Sequence, residues 1–380
     1  MNMSEPTSHT VAGGETRQTA LYSLHLERGG KLVEFAGYSL PLHYPGGIKA
    51  EHLHTRAQAS IFDVSHMGQI LVSGDSASKA LEELVTGDMQ ELKPGRQRYT
   101  LLTNDRGGII DDVMVTRCPK GLRLVVNAAH KESVFHYLDS KLTSHRVTLE
   151  KDYSLLALQG PEAAAVLENH VAGVSQLDFM QGRKFQLGTR ECFINRCGYT
   201  GEDGFEISIL NEQVAKLVAL LMEDERVALA GLGARDSLRL EAAFCLHGKD
   251  INESRTPVEA NLSWAIAAKY KNGAAVPGFP GASLIMQQLQ SGVAEKLVGL
   301  QVMGKVPVRD GCDILGKDGE RVGLVTSGSF SPSLSSPVAL GYIKSEYIAP
   351  GTELQVEIRN RFHTILVKDV PFIKHRYHNR

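Results

Sequence analysis

Two adjacent carboxylates, Asp111 and Asp112, are the side chains of this sequence best suited to chemistry. They lie in segment 97–115, where two apolar runs flank a cluster of turn-forming residues at 104–108, and this pattern predicts a β-hairpin. Because strand side chains alternate between faces, we expect the two aspartates on opposite faces, each among apolar neighbours. An Asp pair beside a turn is often solvated, but carboxylates among apolar side chains need partners or protonation and are enriched in active sites.

Three other features could bind a ligand, and each also has a purely structural interpretation. The glycine-rich loop 198–204 lacks the spacing of a phosphate-binding or dinucleotide-binding loop, so we expect a hairpin loop. Glu206 alternates with apolar neighbours on a predicted strand and is equally compatible with a solvent-facing position. Arg235 and Arg239 have i, i+4 spacing on a predicted helix. That spacing favours a surface row of salt bridges over a ligand clamp.

Histidines, cysteines and the single Trp give no independent signal for a site. His52, His54 and His66 lack the H-E-x-x-H order of a zinc site, so we interpret them as structural. The five cysteines are odd in number and form no C-x-x-C pair. This pattern predicts neither a disulfide framework nor a metal site and favours a reducing, cytoplasmic compartment. Trp264 is expected to fill the core rather than bind a ligand.

Length and charge limit the class of protein. A chain of 380 residues suggests two or three domains. Its net charge of −2 gives no electrostatic basis for nucleic acid or an anionic membrane as partner, so small molecules or proteins are expected. No apolar run approaches the roughly 20 residues that span a bilayer. Residues 1–18 are polar and contain acids, which predicts a disordered tail rather than an acid-poor transit peptide.

The pattern of secondary structure predicts an α+β protein. Helical and strand-like segments alternate irregularly over residues 19–287, which favours antiparallel sheets with helices over a repeated βαβ winding. Segment 31–38 is predicted as one strand. Glycine and proline density at 273–281 indicates a domain boundary. Beyond it, five short strand-like runs predict a small all-β barrel or sandwich.

Five segments of this sequence, taken together, resemble one family. They resemble the glycine cleavage T-protein family of aminomethyltransferases, and the similarity extends from about residue 21 to the C-terminus. The segments are FDVSHM at 62–67, GGIIDD at 107–112, RCGYTGEDGFE at 196–206, ARDSLRLE at 234–241 and TPVE at 256–259.

The resemblance implies a three-domain cloverleaf around a central hole that holds tetrahydrofolate. The first, folate-binding domain would be discontinuous and comprise residues 19–66 and 153–287. The second domain, residues 67–152, would carry Asp112. Residues 288–380 would form a C-terminal β-barrel, in agreement with the boundary near 281.

The resemblance also implies roles for individual residues. Asp112 would be the catalytic acid next to the reacting folate nitrogens, acting by accepting a proton or electrostatically, and Asp111 would be structural. Glu206 and Arg235 would bind folate or substrate, with Arg235 paired either with the folate tail or with a protein acid. No metal is implied. The other residues implied to line the pocket are Met67, Tyr99, Asn127, Tyr199 and Tyr377.

The implied reaction transfers a methylene carbon. The carbon arrives as an aminomethyl group on the dihydrolipoyl arm of H-protein, and tetrahydrofolate takes it to give 5,10-methylenetetrahydrofolate and ammonia. The alternatives are another folate-dependent demethylase of this fold and a non-catalytic folate-binding accessory protein. The accessory relatives carry a K-G-C-Y-x-G-Q-E signature, whereas RCGYTGED stands at 196–203 here, which favours the transferase. The predicted compartment is the cytoplasm, or the mitochondrial matrix in a eukaryote.

Overall fold

Nine α-helices lie in the part of the chain that the computed structural model describes, which is residues 16–188 and 190–378. None of these helices is long and apolar enough to cross a membrane. The helices are α1 (Tyr22–Glu27), α2 (Gly47–Ala57), α3 (Ala77–Glu82), α4 (Lys131–Lys141), α5 (Ala163–Glu168), α6 (Asn211–Leu221), α7 (Leu232–Glu241), α8 (Ala268–Lys271) and α9 (Ala282–Ser291).

The described residues also form twenty strands. They are β1 (Arg17–Gln18), β2 (Lys31–Phe35), β3 (Tyr38–His43), β4 (Ala59–Asp63), β5 (Gly68–Ser73), β6 (Gln97–Thr103), β7 (Ile109–Cys118), β8 (Gly121–Val126), β9 (Arg146–Leu149), β10 (Tyr153–Gln159), β11 (Gln181–Leu187), β12 (Arg190–Arg196), β13 (Gly204–Leu210), β14 (Val227–Leu229), β15 (Glu295–Val302), β16 (Asp313–Leu315), β17 (Arg321–Ser331), β18 (Ser336–Lys344), β19 (Glu353–Ile358) and β20 (Arg361–Lys368).

A six-stranded sheet is built from two separate parts of the chain. Its strand order is β11-β12-β13-β10-β4-β14, and every pair is antiparallel except β14 with β4. Strand β4 comes from residues 59–63, and the other five strands come from residues 153–229. Side chains of α5 and α6 pack on this sheet in one apolar cluster that includes Val166 and Leu217. The chain therefore leaves this layer after β4 and returns at β10.

A five-stranded antiparallel sheet fills the excursion between those two points. Its strand order is β6-β7-β8-β5-β9, and α3 and α4 contribute to its apolar core. The predicted hairpin is β6 and β7. Asn104 holds its turn, because Oδ1 accepts hydrogen bonds from the backbone N–H groups of Arg106 and Gly108, both at 3.0 Å. Gly107 has φ of +77°, a value that favours glycine.

The last part of the chain forms a closed six-stranded barrel. Its strand order is β15-β18-β17-β16-β19-β20. The five predicted runs correspond to five of these strands. The sixth, β16, has only three residues and too short a pattern to detect in the sequence. The α+β class, the antiparallel sheets with helices and the C-terminal barrel are confirmed.

Two details of the predicted N-terminal region are wrong. Residues 1–15 of the predicted tail lie outside the described residues, but Arg17 and Gln18 form β1, which pairs in parallel with Tyr38 and Ser39 of β3. The guanidinium of Arg17 also lies 4.4 Å from the centre of the Tyr38 ring. The strand predicted for 31–38 is two strands, β2 and β3, because Ala36 and Gly37 adopt positive φ and form a tight turn.

Candidate active site

Asp111 and Asp112 lie side by side on β7 and face opposite ways, as predicted. Asp111 is fully buried on the face that carries Val113, whereas Asp112 is half-buried. Asn127, just after β8, bridges the two acids. Its Nδ2 donates to Asp111 Oδ1 at 2.8 Å and to Asp112 Oδ1 at 2.7 Å, and its backbone N–H donates to Asp111 Oδ2 at 3.1 Å. The Asn127 amide nitrogen is thus used by the protein, and its carbonyl oxygen remains for a ligand.

Removal from water determines how readily this pair takes up a proton. Burial raises the pKa of Asp111, and the charge of Asp112 raises it further. Burial also raises the pKa of Asp112, although hydrogen bonding from Asn127 and Tyr99 opposes the rise. Two interacting carboxyls titrate as a unit. A carboxyl whose pKa is raised towards neutral is suited to general base chemistry.

Tyr99 on β6 flanks Asp112, and the exposed side chain of Trp264 covers its ring. Burial, with the neighbouring Asp112 charge, raises the pKa of Tyr99 well above its ordinary value, so the phenol stays neutral. Trp264 stacks on the Tyr99 ring with 5.1 Å between centroids. Its side chain is 63% exposed, so the prediction that Trp264 fills the core is wrong. The short helical turn that carries it, 263–265, buries Ala265 instead.

Tyr199 lies in the loop between β12 and β13 and is held on three sides. Its ring stacks on Phe244 with 5.6 Å between centroids, and the guanidinium of Arg235 lies 4.7 Å from its centre. Its hydroxyl donates to the carbonyl of Cys245. Burial is the main cause of its raised pKa, and Asp112 is one of the charges that contribute. The structure therefore brings Tyr199 and Asp112 into one electrostatic environment.

Glu206 and Arg235 form a second polar pair in this region. Glu206 is buried on β13, so the solvent-facing interpretation of its alternation is wrong. Burial raises the pKa of Glu206 and lowers that of Arg235, and the opposite charges of the two groups partly offset both effects. Among the described residues, Glu206 Oε2 and Arg235 Nη1 are buried polar atoms without a hydrogen-bond partner. An unmet acceptor beside an unmet donor suits a polar ligand.

The predicted surface row on α7 is also wrong, because this helix is buried. Arg239 is 2% exposed. Its Nη1 donates to Asp250 Oδ2 at 2.7 Å, and its Nη2 donates to Ser327 Oγ of β17 at 2.9 Å. The barrel covers this face of α7. Arg239 therefore ties α7 to the barrel while Arg235, one turn earlier, faces Tyr199 and Glu206.

Met67 and Tyr377 lie at the edges of this group. Met67 is half-buried and packs with Val125 against an apolar cluster of β4, β10 and α7. Tyr377 stacks on Phe179 with 3.9 Å between centroids, and burial is the main cause of its raised pKa. The backbone N–H of Arg376 donates to the carbonyl of residue 201 at 2.8 Å. The C-terminal segment thus lies against the glycine-rich loop.

His52 and His54 make hydrogen bonds within the fold, whereas His66 Nδ1 is buried without a partner among the described residues. His52 is fully buried, with Nδ1 2.8 Å from Ser237 Oγ, and His54 Nε2 contacts two backbone carbonyl oxygens at 3.1 Å. Burial lowers the pKa of His66 to about 3, and the nearby charge of Arg235 adds to this effect, so the imidazole is neutral. Within residues 16–188 and 190–378 no group of three or more His, Cys, Asp or Glu could hold a metal.

Sequence reasoning misses three residues of this region. Phe244 supports Tyr199, and Cys197 lies beside Glu206. Gln97 lies beside Cys197, and in the described part of the chain its amide is buried with both Nε2 and Oε1 lacking hydrogen-bond partners. A polar residue at the start of an otherwise apolar strand is the only signal that could have indicated Gln97.

Comparison with known proteins gives a single family over almost the whole chain. Residues 21–270 match the model described as GCVT N-terminal domain, and residues 295–374 match the glycine cleavage T-protein C-terminal barrel domain. The chain is 45% identical over 371 residues to the mitochondrial aminomethyltransferase of Canis lupus familiaris and 44% identical to that of Homo sapiens. Both alignments cover 95% of this chain and 91% of the relative.

A solved structure gives the same result at the level of the fold. The crystal structure of glycine cleavage system aminomethyltransferase T from Bartonella henselae superposes with a TM-score of 0.91 and is 41% identical. The alignment covers 96% of this chain and all of that one. The family resemblance carried by the five sequence segments is confirmed, and the chain belongs to the glycine cleavage T-protein family.

Proposed function

We propose that this chain is the aminomethyltransferase of the glycine cleavage system. It transfers the methylene carbon of an aminomethyl-dihydrolipoyl group on H-protein to tetrahydrofolate and releases ammonia. The observation that carries the proposal is the similarity to aminomethyltransferases over 95% of the chain, with both domains of the family matched in order. The unmet polar atoms of Glu206 and of Arg235, whose guanidinium lies 4.7 Å from the Tyr199 ring, are consistent with it.

Tetrahydrofolate is the small-molecule substrate that this site would bind. Its pterin ring presents a ring N–H and an amino group side by side, and a carboxylate such as Glu206 accepts both in a bidentate way. The free Nη1 of Arg235 would donate to a folate oxygen, while the Glu206 charge balances the guanidinium. Tyr99, Tyr199 and Met67 would form the flat apolar walls.

Two further predicted residues take supporting places in this proposal. The amide nitrogen of Asn127 donates to the two aspartates, so the group left for a ligand is the carbonyl Oδ1. This oxygen can accept a hydrogen bond from the ligand but cannot donate one. Tyr377 closes the edge of the site where the C-terminal segment meets loop 198–204.

Asp112 acts on the folate amine in this mechanism. Bonds form from the transferred carbon to two folate nitrogens, and the carbon loses its bonds to nitrogen and sulfur. Two protons leave the folate nitrogens, one reaching the departing ammonia and one the lipoyl sulfur. Asp112 accepts a proton as the amine attacks, or stabilises the positive charge that develops there. Positioning of two large substrates supplies much of the remaining rate.

The partner protein in this proposal is lipoylated H-protein, and nucleic acid and membrane have no role. H-protein must share the compartment of the enzyme. The relatives from dog and human are described as mitochondrial. We retain the cytoplasm as the compartment predicted from the sequence, and fractionation of cells of the source organism followed by immunodetection checks it.

The domain division remains a proposal that the sheet topology supports. Residues 19–66 with 153–287 contain the six-stranded sheet, and residues 67–152 contain the five-stranded sheet with Asp112. Residues 288–380 contain the barrel. Limited proteolysis with mass spectrometry should yield a first cleavage near 273–281 if this boundary is correct.

The direct test is reconstitution with defined substrates. The protein, aminomethylated H-protein and tetrahydrofolate are mixed, and ammonia and 5,10-methylenetetrahydrofolate are measured. We expect both products in equal amounts, and the absence of folate-dependent ammonia release would reject the proposal. Glu206→Ala should weaken tetrahydrofolate binding in calorimetry, whereas Glu225→Ala, at an exposed position, should leave it unchanged.

A further inference from the structure

We propose that Asp111 is a positioning residue of the active site, which fixes Asn127 and thereby sets the orientation and basicity of the Asp112 carboxyl. The inference rests on the aminomethyl transfer proposed above and deepens it. The resemblance assigns Asp111 a structural role only. The geometry points to a role in the reaction, because Asp111 reaches Asp112 through a single shared amide.

The hydrogen bonds of Asn127 make this connection. An amide nitrogen has two hydrogens, and those of Asn127 go one to each aspartate, at 2.8 and 2.7 Å. Asp111 also accepts from the backbone N–H of Asn127 through its other oxygen, at 3.1 Å. Asp111 thus holds Asn127 at two points and is itself fully buried. Without Asp111, the amide is free to rotate and Asp112 loses a fixed donor.

The same geometry directs where a proton goes. Both oxygens of Asp111 accept hydrogen bonds from N–H donors of Asn127, which opposes the rise in the pKa of Asp111 that burial and the charge of Asp112 cause. Asp112 accepts hydrogen bonds from Asn127 through Oδ1 and from Tyr99, and in this proposal its carboxyl takes the proton that leaves the folate amine. Two carboxylates this close resist being charged together. The pair therefore titrates as a unit, and loss of Asp111 changes how readily Asp112 takes up a proton.

The other titratable groups around Asp112 do not supply this effect. The titratable groups that interact with it are Tyr99, His130, Tyr199 and Cys245. Burial raises the pKa of both phenols and of the thiol, so these three stay neutral at pH 7. Burial lowers the pKa of His130, which also favours its neutral form. Asp111 is therefore the group whose titration is linked to that of Asp112.

The test is the pH profile of Asp111→Asn in the reconstituted reaction. We expect kcat at pH 7.5 to fall about tenfold and the acidic limb of the profile to move about one pH unit lower, because Asp112 then titrates without a second, interacting carboxyl. The KM for tetrahydrofolate should stay within about twofold of the wild-type value. Asp105→Asn, at an exposed position in the same hairpin, should leave profile and rate unchanged. A uniform fall in kcat without displacement of the limb would overturn the proposal.

Two further measurements keep the test decisive. Asn127→Ala and the double variant Asn127→Ala/Asp111→Asn should have equal kcat, because residues that act as a unit are not additive; independent, multiplying losses would contradict the connection. If Asp111→Asn does not fold, the carboxyl carbons of ¹³C-labelled wild-type protein are titrated by NMR. Asp111 and Asp112 should show one coupled, two-step titration, and independent single steps would overturn the proposal. Inactive wild-type protein would reject the proposed function, whereas the NMR titration does not depend on activity.

Discussion

Glu241, the last residue of α7, joins α2, α7 and the barrel, and its replacement by glutamine should destabilise the protein strongly. Its carboxylate is fully buried. It accepts hydrogen bonds from His52 Nε2 at 3.1 Å, from Arg56 Nη2 at 2.8 Å and from Ser333 Oγ at 2.8 Å, and Ser331 also donates to it. Glutamine has the same shape but places an NH₂ group where donors already point, and it removes the charge that Arg56 faces.

Two independent considerations give the size of the effect. Burial alone would raise the pKa of Glu241, but hydrogen bonds and charges from His52, Ser331 and Arg56 outweigh it and lower the pKa from 4.5 to about 2. That difference corresponds to about 3 kcal/mol of the free energy of unfolding. Removal of one partner from a buried ion pair costs about 3–5 kcal/mol. We therefore expect Glu241→Gln to lose about 3 kcal/mol, or roughly 4 °C in Tm for a chain of 380 residues.

Urea unfolding at several pH values measures this loss and also tests its origin. A carboxylate with a lowered pKa stabilises the fold above its ordinary pKa, and the stabilisation disappears as the pH falls from about 4.5 towards 2. The gap between wild type and Glu241→Gln should therefore be constant from pH 8 to 5 and shrink below pH 4.5. Glu225→Gln, at an exposed position, should change stability by less than about 0.5 kcal/mol. A gap under 1 kcal/mol at pH 7, or one that does not narrow in acid, would refute the reasoning.

Three further substitutions test other parts of the structure. Trp264→Ala removes an exposed stacking surface, so calorimetry should show that the affinity for tetrahydrofolate falls about threefold to tenfold while Tm is unchanged. An unaltered affinity would contradict the view that Trp264 belongs to the folate site. Asp250→Asn leaves the buried Arg239 without its 2.7 Å partner and should cost about 3–5 kcal/mol in urea unfolding, unlike a surface pair. Gly108→Ala would place a Cβ 1.7 Å from the carbonyl oxygen of Glu253, so the hairpin must shift and kcat should fall at least about tenfold. An unchanged kcat would contradict the need for this close contact between the hairpin and residue 253.

The hairpin shows how far the sequence carries the prediction of the site. Turn residues and alternation are local properties, and they correctly predict β6, β7 and the opposite orientation of Asp111 and Asp112. The bridge from Asn127 to both acids depends on the pairing of β7 with β8 and on the loop beyond it, 16 residues away from Asp111. No local pattern encodes that contact.

Glu206 and Arg239 show why alternation and helical spacing mislead in covered elements. Strand β13 lies between β12 and β10 inside the six-stranded sheet, with other layers on both faces, so its polar residue does not reach water. Helix α7 has a polar face, but that face meets the barrel through Ser327 instead of solvent. Whether a polar face is wet depends on contacts between distant parts of the chain, and these are not visible in the segment itself.

Trp264 and Tyr377 represent the opposite difficulty. Composition suggests burial for a lone Trp, yet Trp264 is exposed because its short helical turn packs through neighbouring residues while the indole covers Tyr99. Tyr377 reaches the glycine-rich loop 198–204 because the segment after the barrel returns to it, where Arg376 forms a backbone bridge with Glu202. Only the family resemblance, and no property of the segment, indicates that return.

The measurement that tests the central claim most directly is single turnover by Asp112→Asn with aminomethylated H-protein and tetrahydrofolate. The substitution keeps the shape of the side chain and removes its capacity to take a proton or balance positive charge. We expect ammonia release to slow at least about 100-fold, with folate affinity and Tm close to those of the wild type. Turnover near the wild-type rate by the folded variant would contradict the role assigned to Asp112.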